Sequence, residues 1–261
     1  MRPVLLPIKQ RVEAAGQTVE YILAGRGGPG VVLVNGAGGP VEGWYKVFGE
    51  LAEERCIFAY NRAGIGGSGK PTAPQTAGHM VETLRAALAS IGVPQPYVLV
   101  GHSLGGLVVN LFARLYPGEV AAAVMIEATT PEDVRILPQY EGALQRWLKT
   151  LGTRLAPPHP WAETEHVETT LSQLEAAPSF PAIPLHVVSG ARYAMQWATP
   201  KPQSEARARH QRQLVGLSPF GKQVVANRSG HFPQFSEPEL VRATINAAAC
   251  DAMAHWTHGA A

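Results

Sequence analysis

The segment Val98-Leu99-Val100-Gly101-His102-Ser103-Leu104-Gly105-Gly106 limits the folds open to this chain more than any other. A β-branched apolar run enters a Gly-x-Ser-x-Gly turn, and a helix-forming apolar run, residues 104–115, leaves it. A strand and a helix joined through so sharp a bend nearly touch, so the positions flanking the bend must be small. Gly101, Gly105 and Gly106 meet that demand. The central residue is forced into a strained backbone conformation that lifts its side chain clear of the sheet. Ser103 is therefore the candidate nucleophile.

Elsewhere, short β-branched runs alternate with helical patterns, which predicts an α/β fold with a mostly parallel sheet and helices on both faces. Strands are expected over 18–23, 31–34, 56–60, 97–100, 120–126, 185–188 and 223–226, with an antiparallel partner before the first. Met80, Leu84, Leu88 and Ile91 mark one helical face. A final helix is expected from Ser236, with Glu239 completing a capping box and Pro238 in the first turn. The alternation stops after Thr130. Tyr140, Leu144, Trp147, Leu148 and Leu151 form a helical stripe flanked by proline-rich sequence. We therefore expect a small helical cap over 131–184, inserted in a core domain made of 1–130 and 185–261.

Composition excludes several classes. The formal net charge is only +2 and the basic residues are dispersed, so neither a nucleic-acid surface nor a membrane patch is expected. The first residues are apolar but broken by proline, so they read as neither an export signal nor a spanning helix, and a cytoplasmic location is expected. Cys56 and Cys250 are expected to be reduced, packed thiols. No Cys or His pair has ligand spacing, so no metal is expected; the serine chemistry expected below needs no cofactor, and the expected partner is a small-molecule substrate.

A serine hydroxyl is a poor nucleophile near neutral pH. It needs a base within hydrogen-bond reach, and the base needs a third group to hold its tautomer. Of nine histidines, His231 follows the last expected strand by a short glycine loop, which places it above the carboxyl ends of the strands with the bend. His79, His159, His166 and His210 read as exposed bystanders, and His102 as packing. The acid is harder to find. The chain has only two aspartates, Asp133 and Asp251, and the loop Ser189-Gly190-Ala191-Arg192-Tyr193 carries no carboxylate. Glu127 directly ends the apolar run 120–126, where a lone carboxylate would be costly to bury unless paired or functional. Glu127 is thus the expected orienting acid and Asp133 the alternative. Acyl transfer also needs donors for a developing oxyanion. The backbone N–H groups of Leu104 and, in Asn35-Gly36-Ala37-Gly38-Gly39, of Ala37 are the candidates.

Together the glycine loop at 35–39, the arginine-glycine loop Asn61-Arg62-Ala63-Gly64-Ile65-Gly66-Gly67-Ser68, the serine bend and the late Gly230-His231 resemble the α/β-hydrolase superfamily over nearly the whole chain. The order nucleophile, acid, histidine agrees. The resemblance implies a serine hydrolase with a cap between the sixth and seventh strands. Three departures from the common pattern stand out. Asn35 stands where many relatives have histidine, and Asn61 replaces an aspartate. Arg192 and Tyr193 occupy the usual acid loop, whereas Glu127 matches members that place the acid after the sixth strand. Ser103 excludes the dehalogenase reaction, which uses an aspartate nucleophile. The expected function is hydrolysis of a small-molecule carboxylic ester through an acyl-enzyme. The alternatives are carbon–carbon bond hydrolysis, peracid formation or hydroxynitrile-lyase chemistry at the same site, or a non-catalytic hydrolase-fold receptor.

Overall fold

The computed structural model describes residues 6–136, 139, 159–192 and 201–259. Its sheet has eight strands: β1 (Gln10–Ala14), β2 (Gln17–Ala24), β3 (Gly30–Val34), β4 (Ile57–Asn61), β5 (Tyr97–His102), β6 (Val120–Ile126), β7 (Leu185–Gly190) and β8 (Gly221–Ala226). They lie in the order β1-β2-β4-β3-β5-β6-β7-β8. The hairpin β1–β2 and the pair β2–β4 are antiparallel, and all other pairs are parallel.

The alternation of residues along β3 explains why the sheet needs cover on both sides. Val32 and Val34 enter one apolar cluster, Val31 and Leu33 the other, and all four are fully buried. The first cluster is completed by α2 (Ala77–Ile91), through Met80, Leu84 and Leu88, and by α3 (Gly105–Leu115), through Leu107, Leu111 and Phe112. The second is completed by Trp44 with Phe48 and Leu51 of α1 (Tyr45–Glu54), and by Val241 and Ile245 of the long C-terminal helix Pro238–Gly259.

Within 131–184, the described part comprises α4 (Pro131–Ile136), a 3-10 turn (Glu163–His166) and α5 (Val167–Ala176). Helix α5 lies against α2 and α3, and its Leu171 and Leu174 join the first core cluster with Phe180 and Ile183. The aromatic stripe expected at Tyr140–Leu151 lies outside the described residues. Two further helices follow β7: α6 (Lys201–Val215) and the single turn α7 (Pro233–Ser236); the C-terminal helix is α8.

Three expectations are corrected. Helix α8 begins at Pro238, so Glu237 and not Ser236 precedes its first turn. The Ser236 hydroxyl instead donates to Ser229 Oγ at 2.6 Å, and the Glu237 carboxylate accepts from Arg228 N and Ser229 Oγ. The expected capping box does not form. Cys250 is exposed, because it lies on the outer side of α8, whereas Cys56 is buried. His210 is buried, paired through Nδ1 to Asp133 Oδ1 at 2.7 Å.

Strand order reverses at β3, with β4 on one side and β5 on the other. Open α/β sheets leave a crevice at the carboxyl ends of the strands at such a point. Val34 is opposite Gly101, and His102 opposite Ile126. The loops after β3, β5 and β6 therefore emerge side by side.

Candidate active site

Ser103 follows β5 with φ +52°, a left-handed conformation that a non-glycine residue holds only at about 1–3 kcal/mol of strain. The surroundings enforce it. Ser103 N donates to Ile126 O, and Ser103 O accepts from Thr129 N. The glycines are there because nothing larger fits. A Cβ on Gly105 would lie 2.3 Å from Val34 O, and one on Gly106 would lie 2.4 Å from Ala128 Cβ. The bend thus exposes the Ser103 side chain at the mouth of the crevice.

His231, on the loop between β8 and α7, meets it there: its Nε2 is 3.0 Å from Ser103 Oγ. His231 Nδ1 faces Glu127 Oε2 at 3.4 Å. Glu127 is itself left-handed, at φ +42°, as β6 breaks off. Its carboxylate is closely held. Oε1 accepts from Gly190 N at 2.8 Å, and Oε2 accepts from Arg207 Nε of α6 at 3.0 Å. Arg207 Nη2 also donates to Glu127 O at 2.7 Å. Burial alone would raise the Glu127 pKa. The hydrogen bond to His231, the Arg207 charge and the Gly190 N–H outweigh it and hold the carboxyl below its ordinary value, so it is ionised near neutral pH.

Asp133 stands elsewhere. It completes the first turn of α4 by exchanging hydrogen bonds with Thr130, and its carboxylate accepts from Arg207 Nη1 at 2.9 Å and meets His210. The structure brings Glu127, not Asp133, to His231. Arg207 spans the two carboxylates.

His102 does more than pack. Its Nε2 lies 2.7 Å from the backbone oxygen of His231. Burial pushes its pKa down to about 4, so the ring is neutral and donates its Nε2 proton to that carbonyl. The backbone of the candidate base is thereby tied to the strand that carries the candidate nucleophile.

The loop after β3 approaches from the other side. A Cβ on Gly36 would lie 2.9 Å from Ser103 Cβ and 3.0 Å from His102 Nδ1, so only glycine allows this proximity. Leu104 and Ala37, the two candidate oxyanion donors, stand at the start of α3 and in this loop. Asn35 braces the loop through Nδ2, which donates to Pro40 O at 2.6 Å. Arg62, fully buried, donates from Nη1 to Asn35 O at 2.7 Å and from Nη2 to Gly36 O at 2.6 Å. Asn61 bonds Val41 N and Glu20 Oε2, a bracing role between strands.

The sequence model of the α/β hydrolase fold matches residues 29–220. The chain belongs to the α/β-hydrolase fold family. Among its relatives, 1-acylglycerol-3-phosphate O-acyltransferase ABHD5 of Sus scrofa is 28% identical over 136 residues, which are 51% of this chain and 39% of that protein. The chain spans about two fifths of the length of the curated relatives it matches first. A bacterial membrane phospholipase A aligns over 97% of this chain and 88% of its own, with TM-score 0.67 and 21% identity. A thermophilic esterase from Thermogutta terrifontis aligns over 92% and 97%, with TM-score 0.62 and 19% identity. These solved structures share the fold.

Two residues of this α/β hydrolase site escaped sequence reading, Arg207 and Glu163; Arg62 and His102 carried local signals, in the arginine-glycine loop and beside the serine, but their contacts with Glu163 and the 35–36 carbonyls and with His231 were not foreseen. Arg207 sits in an ordinary polar stretch of α6, and Glu163 in a proline-rich segment with no periodicity. A cavity of about 570 Å³ is lined by Glu127, His231, Arg207 and the Ser189–Arg192 loop, among others. Among the described residues there is no metal-binding cluster of His, Cys, Asp and Glu, and no helix long and apolar enough to cross a membrane.

Proposed function

We propose that this α/β hydrolase is a serine hydrolase that cleaves small-molecule carboxylic esters through an acyl-enzyme. The single observation that carries the reading is the continuous hydrogen-bonded path from Ser103 Oγ through the imidazole of His231 to Glu127. The Ser103 oxygen attacks the ester carbonyl carbon as His231 Nε2 takes its proton. Glu127 keeps the proton on Nδ1 and stabilises the imidazolium. The N–H groups of Leu104 and Ala37 receive the negative charge that develops on the carbonyl oxygen. The C–O bond to the alcohol breaks, and the alcohol leaves with the proton from His231. Water, deprotonated by His231, then attacks the acyl-enzyme and releases the acid and free Ser103. None of these steps requires a cofactor.

The name of the Sus scrofa relative supports a second reading of the same intermediate. If an alcohol rather than water discharges the acyl-enzyme, the same groups transfer the acyl chain.

A fluorophosphonate probe combined with a p-nitrophenyl ester series of increasing acyl length tests the proposal. Wild type should be labelled at Ser103 and turn over the esters, and Ser103→Ala should do neither. Folded wild-type protein that resists labelling and hydrolyses no ester would refute it.

A further inference from the structure

The loop at 35–39 supplies a proposed oxyanion donor, yet it contains three glycines and could flip its peptides cheaply. What holds it comes from 125 residues along the chain. Gly38 N donates to Glu163 Oε1 at 2.6 Å. The other partner of Glu163 is Arg62, through Nε to Oε2 at 2.5 Å and Nη2 to Oε1 at 3.1 Å. Arg62 in turn grips the carbonyls of Asn35 and Gly36. Glu163 is almost fully buried, on the turn before α5, within the segment expected to form the cap.

Peptide geometry turns this clamp into a direction. In a trans peptide the C=O and the following N–H point to opposite sides. With the Gly36 carbonyl held on Arg62, the Ala37 N–H faces away from Arg62. With the Gly38 N–H spent on Glu163, Gly38 does not compete as a donor. The Arg62 guanidinium is itself fixed by a two-point, charge-assisted pair with Glu163, the geometry that best sets a planar group. Removing Glu163 releases the Gly38 N–H and the guanidinium that holds the Asn35 and Gly36 carbonyls, while the Asn35 Nδ2–Pro40 O and Gly39 N–Gly36 O bonds remain.

We propose that Glu163 is a positioning residue for the oxyanion loop: it fixes Arg62 and Gly38 so that the Ala37 N–H points at the reacting carbonyl. Catalytic competence thereby depends on the docking of a turn outside the sheet. This deepens the serine-hydrolase reading and rests on it.

The test compares wild type with Glu163→Gln, which keeps the shape but removes the charge. Because this leaves Arg62 buried without its counter-ion, a double variant, Arg62→Met with Glu163→Leu, removes the clamp without stranding a charge. Two readouts are taken. For p-nitrophenyl acetate, kcat per titratable serine should fall about 30- to 300-fold with KM changed less than about threefold, as expected for lost transition-state contacts. Amide exchange at Gly38, whose N–H is held on Glu163, should quicken about tenfold or more in the double variant, both in the active protein and in a Ser103→Ala background. Unchanged exchange in the double variant overturns the clamp. Faster exchange with unchanged kcat overturns the positioning role, as does a loss confined to melting temperature. If wild type hydrolyses no ester and takes no probe, the hydrolase reading fails, and the exchange contrast in Ser103→Ala still decides whether Glu163 holds the loop.

Discussion

Replacing Glu127 by glutamine changes one atom and should cost about three orders of magnitude in rate. Oε1 accepts from Gly190 N at 2.8 Å, and Oε2 accepts from Arg207 Nε at 3.0 Å. A glutamine must place its NH2 group against one of these donors. Kept on Gly190, its oxygen leaves the NH2 facing Arg207 and His231. The imidazole would then accept at Nδ1 and carry its proton on Nε2, the wrong tautomer to receive one from Ser103. The electrostatic loss has a similar size. A carboxylate and an imidazolium about 4 Å apart at an effective dielectric near 20 attract by about 4 kcal/mol, or about 10³ in rate. The donor–donor clash adds about 1–3 kcal/mol of destabilisation. Asp133→Asn is the control. It breaks the buried contacts to Arg207 and His210 and should cost about 3–5 kcal/mol of stability. It should leave kcat within about tenfold of wild type, since Asp133 does not touch His231. The assay is steady-state hydrolysis of p-nitrophenyl acetate, normalised by fluorophosphonate titration, with urea melts in parallel. A Glu127→Gln enzyme with wild-type kcat, or an Asp133→Asn enzyme with the thousandfold loss, would refute the assignment of the acid.

Other outcomes follow from the same contacts. Gly36→Ala puts a methyl 2.9 Å from Ser103 Cβ, and kcat should drop at least about 100-fold, comparable to losing an oxyanion donor; wild-type kinetics would contradict the close approach. His102 has a pKa depressed from 6.5 to about 4, so the unfolded chain binds its proton first and stability falls as pH drops through that window. The loss should reach about 3 kcal/mol, and His102→Gln, which can still donate to His231 O, should flatten that slope while keeping most activity; an unchanged slope in urea melts between pH 6.5 and 4 would count against a buried neutral ring. Glu127 and Glu163 are held below their ordinary value of 4.5, so their contribution is complete above it and lost as pH falls further. Melting temperature should therefore fall steeply below about pH 4.5, and less so in the Arg62→Met, Glu163→Leu double variant; equal slopes would show that Glu163 is not ionised in the clamp.

The residues whose placement was legible in the sequence are those fixed by local backbone demands. Strand alternation and the glycines around Ser103 encode the sheet, the bend and the order of the loops, because each follows from the spacing of a few neighbouring residues. His231 and Glu127 were placed by the same kind of local signal: Glu127 directly ends an apolar strand run, and His231 follows the last strand by a short glycine loop. Arg207 and Glu163 were not legible, and Arg62 was legible only as part of a loop motif, without its partners. The partners of Arg207, Arg62 and Glu163 lie 80, 27 and 101 residues away, and a charged side chain on an ordinary helix or turn looks alike whether it faces water or a buried carboxylate. His210 and Ser236 failed for a related reason, since local pattern assigned an exposed ring and a helix cap, and tertiary packing supplied other partners. The sequence alone thus determined where the Ser103 hydroxyl and the His231 imidazole would be presented. Only the folded chain decided which carboxylate reaches that imidazole and what pins the loop beside the hydroxyl, because buried charges take the partners that the packing brings to them.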